Sequence, residues 1–392
     1  MKDPDGHCLA IAPALEFSRV PMPLVSSWRA LGSCIGELAL LSLRRMKLKA
    51  RITWDRLLDW FEYTTQSVTI LNRKLDGYTH LIASRQGIFA ASPTSYKQLV
   101  RGRFFGLTLK NGDIYCFQTC YDDPTREDTR KGRIVRLRTN GGRLLGAQVL
   151  TQGLDDGCHQ IDFIGEDLVI VDCCNGRILR LPMNAGSCES YYPLGRISRQ
   201  VAGEDYHINS IAGHPDGSVW ILLHNYNKRP SEIAVLNSKF EMTRRFELKA
   251  GSAHNIVFTD DDLEFLVADS YGGRIISRNG PVVAGLSMMP RGLSLDETSC
   301  VFGESFFETR LFRAYVPGRI HFADRKSWKI NASLELPAAP TDIRRIDGKD
   351  YSLSNYFAQV SMQKVRQGTE HLPDSLYDNA MSTMGFRDGT NL

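Results

Sequence analysis

The sequence predicts an all-β protein, a six-bladed β-propeller behind a short helical N-terminal extension. Three observations point there. From about Ser67 onward the chain is written in short apolar runs separated by Gly-, Asp- and Asn-rich turns, the pattern of strands with tight connections. These runs also recur. Residues 159–180 (HQIDFIGEDLVIVDCCNGRILR) and 254–277 (HNIVFTDDDLEFLVADSYGGRIIS) share a strand, a polar turn, a second strand ending on Asp, and a turn closed by Gly-Arg before a third. Residues 207–236 and 291–312 repeat the plan more loosely, so units open at 159, 207, 254 and 291, which are 48, 47 and 37 residues apart. Self-similarity at periods near 40–50 residues marks propeller blades. Finally, the two ends of the repeat region each carry part of a unit, as a ring closed by both chain ends requires.

The elements follow in chain order. Residues 1–66 form the extension: apolar residues at helical spacing in Ser26–Leu43 and Trp54–Thr65 predict two or three short helices, and Pro21 and Pro23 break the lead-in. Residues 67–361 form the propeller. A weaker unit opens at Phe105, and the sixth is shared between Tyr78–Ala91 and Thr341–Phe357. Residues 362–392, rich in Ser, Thr, Asp, Gly and Met, read as a tail or docking segment.

Composition removes several classes of function. Lys and Arg exceed Asp and Glu by 48 to 44, and the excess is spread without a basic block, which argues against nucleic acid as the partner. The most apolar stretch, Leu31–Leu43, contains Glu37 and falls short of the ~20 residues of a membrane span. It also follows a polar, proline-broken start unlike a secretion signal. Nine cysteines, an odd number without regular spacing, favour reduced thiols and a cytoplasmic location. Cys116/Cys120 and the adjacent Cys173-Cys174 offer soft-metal ligands, but their spacing is unlike that of zinc sites, and burial as small hydrophobes is preferred. No P-loop, dinucleotide fingerprint or nucleophile elbow is present.

The innermost strand of a blade lines the channel, and its first residue sits at the channel mouth. His159, His207 and His254 open three successive units, so three imidazoles are expected to meet there. Imidazole is the commonest metal ligand, and three with an open position make a catalytic metal site. Counting back from the loop HPDGSVW, Asn209 rather than His207 matches His159 and His254, so Asn209 competes for that place. Second strands return to the same mouth and end at Asp172, His224, Asp269 and Glu304. Asp172 and Asp269 read as turn residues or as partners of a ligand His. Arg291 opens the next unit and is placed to fork a substrate carboxylate, unless Glu304 or Asp296 pairs with it. Tyr206, Tyr226 and Tyr271 lie in mouth loops, and Tyr271 and Tyr206 stand as acid/base candidates beside Arg291. Asn209, His224 and Glu304 stand as substrate contacts.

At these residues the sequence resembles the NHL-type and gluconolactonase-like six-bladed propellers. AHNIVFTDDDLEFLVADSYGGRI is locally similar to blades of the peptidyl-α-hydroxyglycine α-amidating lyase family, and INSIAGHPDGSVW to the inner-strand motif of the same superfamily. The resemblance implies inner-strand histidines holding a divalent metal with an arginine and a tyrosine beside it. It carries to His159 and His254 by register, to His207 by residue type, and to Arg291. In the gluconolactonase-like enzymes Glu and Asn hold the metal, which implies Asn209 instead.

The expectation is therefore a metal-dependent lyase or hydrolase acting on a small or peptide-derived substrate. Its cofactor is a divalent ion, with Zn, Fe, Mn and Cu not distinguished. Neither nucleic acid nor a membrane is expected as a partner. The alternatives are a gluconolactonase-like lactonase, or a non-catalytic propeller that binds a protein or peptide through the loops Cys120–Gly132 and Asn225–Ser231.

Overall fold

The structure, a computed structural model, describes residues 28–120, 131–183, 187–196, 206–261, 264–306, 308 and 313–366. Its strands form six four-stranded antiparallel sheets. From the innermost strand outward, blade 1 is Arg103–Lys110, Asp113–Thr119, Gly132–Asn140 and Arg143–Leu154. Blade 2 is Cys158–Ile164, Asp167–Asp172, Arg177–Leu181 and Glu189–Tyr191. Blade 3 is Ile208–Gly213, Val219–Leu223, Glu232–Leu236 and Met242–Glu247. Blade 4 is Ala253–Phe258, Phe265–Asp269, Arg274–Ser277 and Gly280–Val283. Blade 5 is Met289–Leu295, Ser299–Ser305, Gly318–Asp324 and Ile330–Leu336. Blade 6 takes its innermost strand, Pro340–Arg345, from late in the chain and its outer three, His80–Ser84, Gly87–Ser92 and Ser95–Arg101, from the start of the repeats.

Burial grades outward, as sheets packed face to face require. Every residue of Ile208–Gly213 and Val219–Leu223 is buried, whereas Met242–Glu247 on the rim is largely exposed. This is why the inner strands read as unbroken apolar runs and the outer ones do not. Between blades the filling is aromatic and aliphatic: Trp220, Phe258 and Phe265 meet edge to face across blades 3 and 4. Such pairs add about 0.5–1.5 kcal/mol each beyond their burial.

The six inner strands pack side by side in a closed ring, and polar side chains stitch that ring. Thr341 Oγ1 donates to Phe104 O, and Asp342 Oδ2 accepts from Leu107 N (3.0 Å). Thr108 Oγ1 donates to Asp162, Gln160 accepts from Ile211 N, Ser210 from Asn255 N, and Asn255 Oδ1 from Gly292 N. Each bond joins one blade to the next and satisfies a buried backbone group or carboxylate that the sheet ladder does not reach.

At the far end of the inner strands a helix, Ser354–Arg366, packs against blades 2 to 4. Its first residue, Ser354, donates through N to Asp162 Oδ2 (2.9 Å), while its Oγ accepts from Gly213 N (2.7 Å). Asn355 bridges both backbone groups of Gly165, and Phe357 stacks on Phe258. The sixth repeat unit is thus shorter than its sequence suggests: Pro340–Arg345 is its strand, and residues 354–366 wind into a helix. Ser354→Ala would leave Gly213 N buried without its acceptor and is expected to cost about 1–3 kcal/mol, read from the midpoint of urea unfolding. An unchanged midpoint would mean the helix does not bear on the ring.

Upstream, the two or three short helices expected are a single one, Trp28–Thr64. Residues 44–53 hold no Gly or Pro that would interrupt it. The chain divides after Trp60 into two units. Within the second unit, Glu62 is buried and pairs with Arg101 (3.0 Å), while the fully buried Arg133 donates to Glu62 O and Ser67 O. Among the described residues, no helix is long and apolar enough to cross a membrane. The loop at 121–130 and the segments 1–27 and 367–392 lie outside the described residues.

Candidate functional site

Each inner strand carries a β-bulge where it reaches the open end of the channel. The pairing slips at Phe105 in blade 1, His159–Gln160 in blade 2, Asn209 in blade 3, Asn255 in blade 4, Gly292 in blade 5 and Thr341 in blade 6. A bulge re-aims side chains without ending the strand, and six of them in a ring line one small cavity. Its walls are Phe105, His159, Gln160, Asn209, Ser210, His254, Asn255, Arg291, Thr341 and Asp342, and its volume of ≈ 20 Å³ admits one water-sized group.

The bulges also settle the register. Cys158 lies opposite Asp172, Ala253 opposite Asp269, and His207 N-terminal to its strand opposite His224. Ile208 therefore takes the place of His159 and His254, and Asn209 stands with Asn255 and not with the histidines. The count from the loop is one residue out because blade 3 pairs as far as Gly213 with Val219, one residue beyond the equivalent pair in blade 4.

The imidazoles form a run across blades 2 to 4. Ring centroids are 5.1 Å apart from His159 to His207, 5.1 Å from His207 to His224, and 4.9 Å from His224 to His254. Hydrogen bonds assign their protons. His159 Nδ1 donates to Gly157 O (2.7 Å). Ser270 spends its proton on Pro290 O, so His254 Nδ1 donates to Ser270 Oγ (2.8 Å). Both rings therefore present an unprotonated Nε2. His224 is the reverse: its Nδ1 accepts from Tyr226 N (3.1 Å), which places its proton on Nε2. Burial pushes His159 well below the ordinary imidazole range, helped by the neighbouring His207 and by the charges of Arg291 and Arg85. Burial and Arg291 do the same to His254. His159 and His254 are thus neutral at physiological pH, the form that binds metals or accepts protons.

His159, His207 and Cys173 place one donor atom each within 4.8 Å of one another. His254 stands outside that set because His224 intervenes between it and His207. Cys173, set aside in the sequence as a packing residue, takes its place: its Sγ is 3.4 Å from His159 Nδ1. Among the described residues Cys116, Cys120, Cys158, Cys173, Cys174, Cys188 and Cys300 are free thiols, with Cys116, Cys120, Cys158 and Cys300 buried.

The remaining candidates separate clearly. Arg291 lines the cavity. Glu304 receives His321 Nε2 (2.7 Å) and Met288 N within blade 5, and does not reach the cavity. Asp296 is taken by Arg345 and by the turn at Thr298 and Ser299. Asp172 and Asp269 anchor turns, each also holding the arginine five residues on, Arg177 or Arg274, at 2.7 Å. Tyr206 is sandwiched between Arg229 and Arg245. Tyr271 is 73% exposed on a separate cleft of ≈ 380 Å³ between the mouth loops of blades 3 and 4. Neither tyrosine touches the histidines. Tyr226 does, with Oη 2.8 Å from His207 Nδ1.

Tyr226 gets there on a strained backbone. Asn225, Tyr226 and Asn227 have φ of 57°, 49° and 58°, and His207 itself has 47°. Left-handed non-glycine residues cost of order 1–3 kcal/mol each and gather at functional sites. Asn225 offsets part of this cost by donating to Pro230 O and Glu232, both at 2.7 Å.

Two contributors were not put forward from sequence: Phe105 stacks on His159 (5.3 Å) and Arg85 lies over Phe105 (4.9 Å). Cys173, weighed as a soft-metal ligand and set aside, meets His159. Phe105 opens the weakest repeat and is apolar, so nothing marks it as a site residue, and Arg85 sits in a hairpin turn of blade 6, away from the repeat position of the histidines.

No family model matches the chain, and no curated protein matches it. Solved structures do. The chain is similar to a chain of the nidogen/laminin complex (13% identity, 70% of this chain and 100% of that one, TM-score 0.52). It is also similar to the calcium-binding protein regucalcin from Agrobacterium tumefaciens (13%, 70% and 81%, TM-score 0.44) and to the periplasmic gluconolactonase of Pseudomonas aeruginosa (14%, 68% and 98%, TM-score 0.43). At such identities the likeness is one of fold: the chain is a six-bladed β-propeller.

Proposed function

We propose that the chain is a metal-dependent enzyme of lyase or hydrolase type, acting on a small or peptide-derived substrate at the bulged mouth of the propeller. The observation that carries this reading is the run of imidazoles in which Nδ1 of His159, His207 and His254 is tied in turn to Gly157 O, Tyr226 Oη and Ser270 Oγ. Outer partners that fix a ring and its tautomer are what metal-ligating histidines carry.

The donor chemistry fits an ion better among the nitrogens than among the oxygens of the same cavity. Asn255 Oδ1 is occupied by Gly292 N, and Asp342 by Leu107 N, Ile343 N and Arg344. An oxygen cage built on Asn209, as a lactonase-like site would need, has few acceptors left to give. His159 and His207 are the residues that would hold the ion. A divalent ion there supplies Lewis-acid polarisation of a substrate oxygen.

The chain's own groups supply the rest. Arg291 faces the cavity with His254 and orients an anionic substrate group. His254 Nε2, kept neutral, accepts a proton from the substrate, and Tyr226 Oη exchanges one with His207 Nδ1. Asn209 Nδ2, buried and without a partner among the described residues, offers a donor to a substrate oxygen.

Elemental analysis of the purified chain tests the reading. About one equivalent of a transition-series ion is expected, lost in His159→Ala and in His207→Ala. A metal-free protein that takes up no such ion on titration, with both substitutions silent, would reject it in favour of a propeller that binds partners without chemistry.

A further inference from the structure

We infer a second, thiophilic metal site, formed by the adjacent thiols of Cys173 and Cys174 with Nδ1 of His159. It goes beyond the enzymatic reading and needs no catalysis at the mouth. Cys173 and Cys174 lie in a short turn that follows the second strand of blade 2 and is closed by left-handed Gly176. Their Sγ atoms are 3.8 Å apart, and Cys173 Sγ is 3.4 Å from His159 Nδ1. A tetrahedral ion with bonds of about 2.3 Å to sulfur and about 2.05 Å to nitrogen has S–S and S–N edges of about 3.8 Å and about 3.5 Å. The Cys173–Cys174 and Cys173–His159 separations match those edges.

Two further features point to the same place. The Cys173 thiol and His159 Nδ1–H both donate to one carbonyl, Gly157 O, at 2.6 and 2.7 Å. Two protons thus converge where a cation would replace them. Residue 157 is also glycine at the point where a Cβ would fall 2.2 Å from Cys174 Sγ, so the backbone opens a cradle for that thiol. His207, whose donor lies within 4.8 Å of those of His159 and Cys173, stays with the ion at the mouth. Binding releases both thiol protons to solvent and moves the imidazole proton of His159 to Nε2. Two sulfurs and one imidazole select a soft or borderline ion such as Zn²⁺, Cd²⁺ or Cu⁺ over Ca²⁺ or Mg²⁺. Occupation would also withdraw the unprotonated Nε2 of His159 from the mouth, coupling the two sites.

The test is a Co²⁺ titration of the full chain, reduced and freed of metal, followed by absorption. An intense near-ultraviolet sulfur-to-cobalt band that saturates stoichiometrically is expected, lost in Cys173→Ser and at least halved in Cys174→Ser. Cys174 is half-exposed, so its variant retains the fold if the buried Cys173 variant does not. Cobalt bound without that band overturns the inference and leaves an imidazole-held ion standing. No cobalt binding overturns it as well. A sulfur band that survives when elemental analysis finds no resident ion would support this site while the enzymatic reading fails.

Discussion

An Asp342→Ala protein is expected to lose about 3–5 kcal/mol of folding stability, the usual cost of stranding one member of a buried ion pair. Asp342 is buried on the channel axis, and Arg344, fully buried, donates to its Oδ1 at 2.6 Å. The same carboxylate receives Leu107 N from blade 1, Ile343 N from its own strand and Asn255 Nδ2 from blade 4. Alanine removes all four acceptor contacts and leaves a guanidinium in the interior. Urea unfolding gives the number directly. A second variant, Asp342→Leu with Arg344→Met, removes both charges and is expected to recover most of the loss, because an uncharged pair of similar volume carries no stranded ion. If Asp342→Ala unfolds at the wild-type midpoint, the ring is held by its apolar blades alone and the polar stitching is incidental.

The second large effect is on acid sensitivity, through His80. Burial lowers its pKa from 6.5 to about 4, against the carboxylates of Asp350, Asp296 and Asp347 and with the help of Arg345. Its Nδ1 meets Thr79 Oγ1, its ring lies edge-on to Phe322, and Nε2 is buried without a partner among the described residues. The sign follows from proton counting. Below pH 6.5 the unfolded chain protonates this imidazole while the folded chain does not until about pH 4. Its contribution is therefore complete above pH 6.5 and is lost as pH falls toward 4. At 1.36 kcal/mol per pKa unit this is about 3 kcal/mol. Asp342 acts in the opposite sense, since burial raises it from 3.8 to about 6 and the folded state then holds the extra proton. For that reason the comparison is made within one background: stability at neutral pH and near pH 4, for the parent and for His80→Phe. The variant should lose about 3 kcal/mol less on acidification. Parallel pH curves would show that His80 is solvated in the folded state.

The repeat was legible because a blade must hide two apolar strands before it can expose anything. That constraint writes VIVD, WILLH and LVAD at matching places whatever the chemistry. Closure by both chain ends could be read for the same reason: His80–Ser84 and Pro340–Arg345 are each incomplete alone. What could not be read was local. A bulge shifts side chains by one position without changing composition, so Ile208 and Asn209 traded registers unseen. Cys173 looks like core filling because its sequence neighbours are apolar, and only the turn over Gly157 brings its sulfur to His159. Among three mouth tyrosines, the contact with His207 belongs to the one carried by a left-handed turn, and no spacing rule encodes that conformation. The helix Ser354–Arg366 was missed because its start reads as the end of the last repeat and its end as part of the tail, and it gains its place through Ser354 and Asn355 at its start.

The composition of blade 6 sets a schedule on how the protein is made. As the chain leaves the ribosome, His80–Ser84 emerges early and waits without its inner neighbour until Pro340–Arg345 has been synthesised. At roughly 5–20 residues per second this leaves an apolar strand edge unsatisfied for tens of seconds. Nascent chains arrested before residue 340 should therefore be the species that recruit chaperones, and release of the last strand should be the step that frees them.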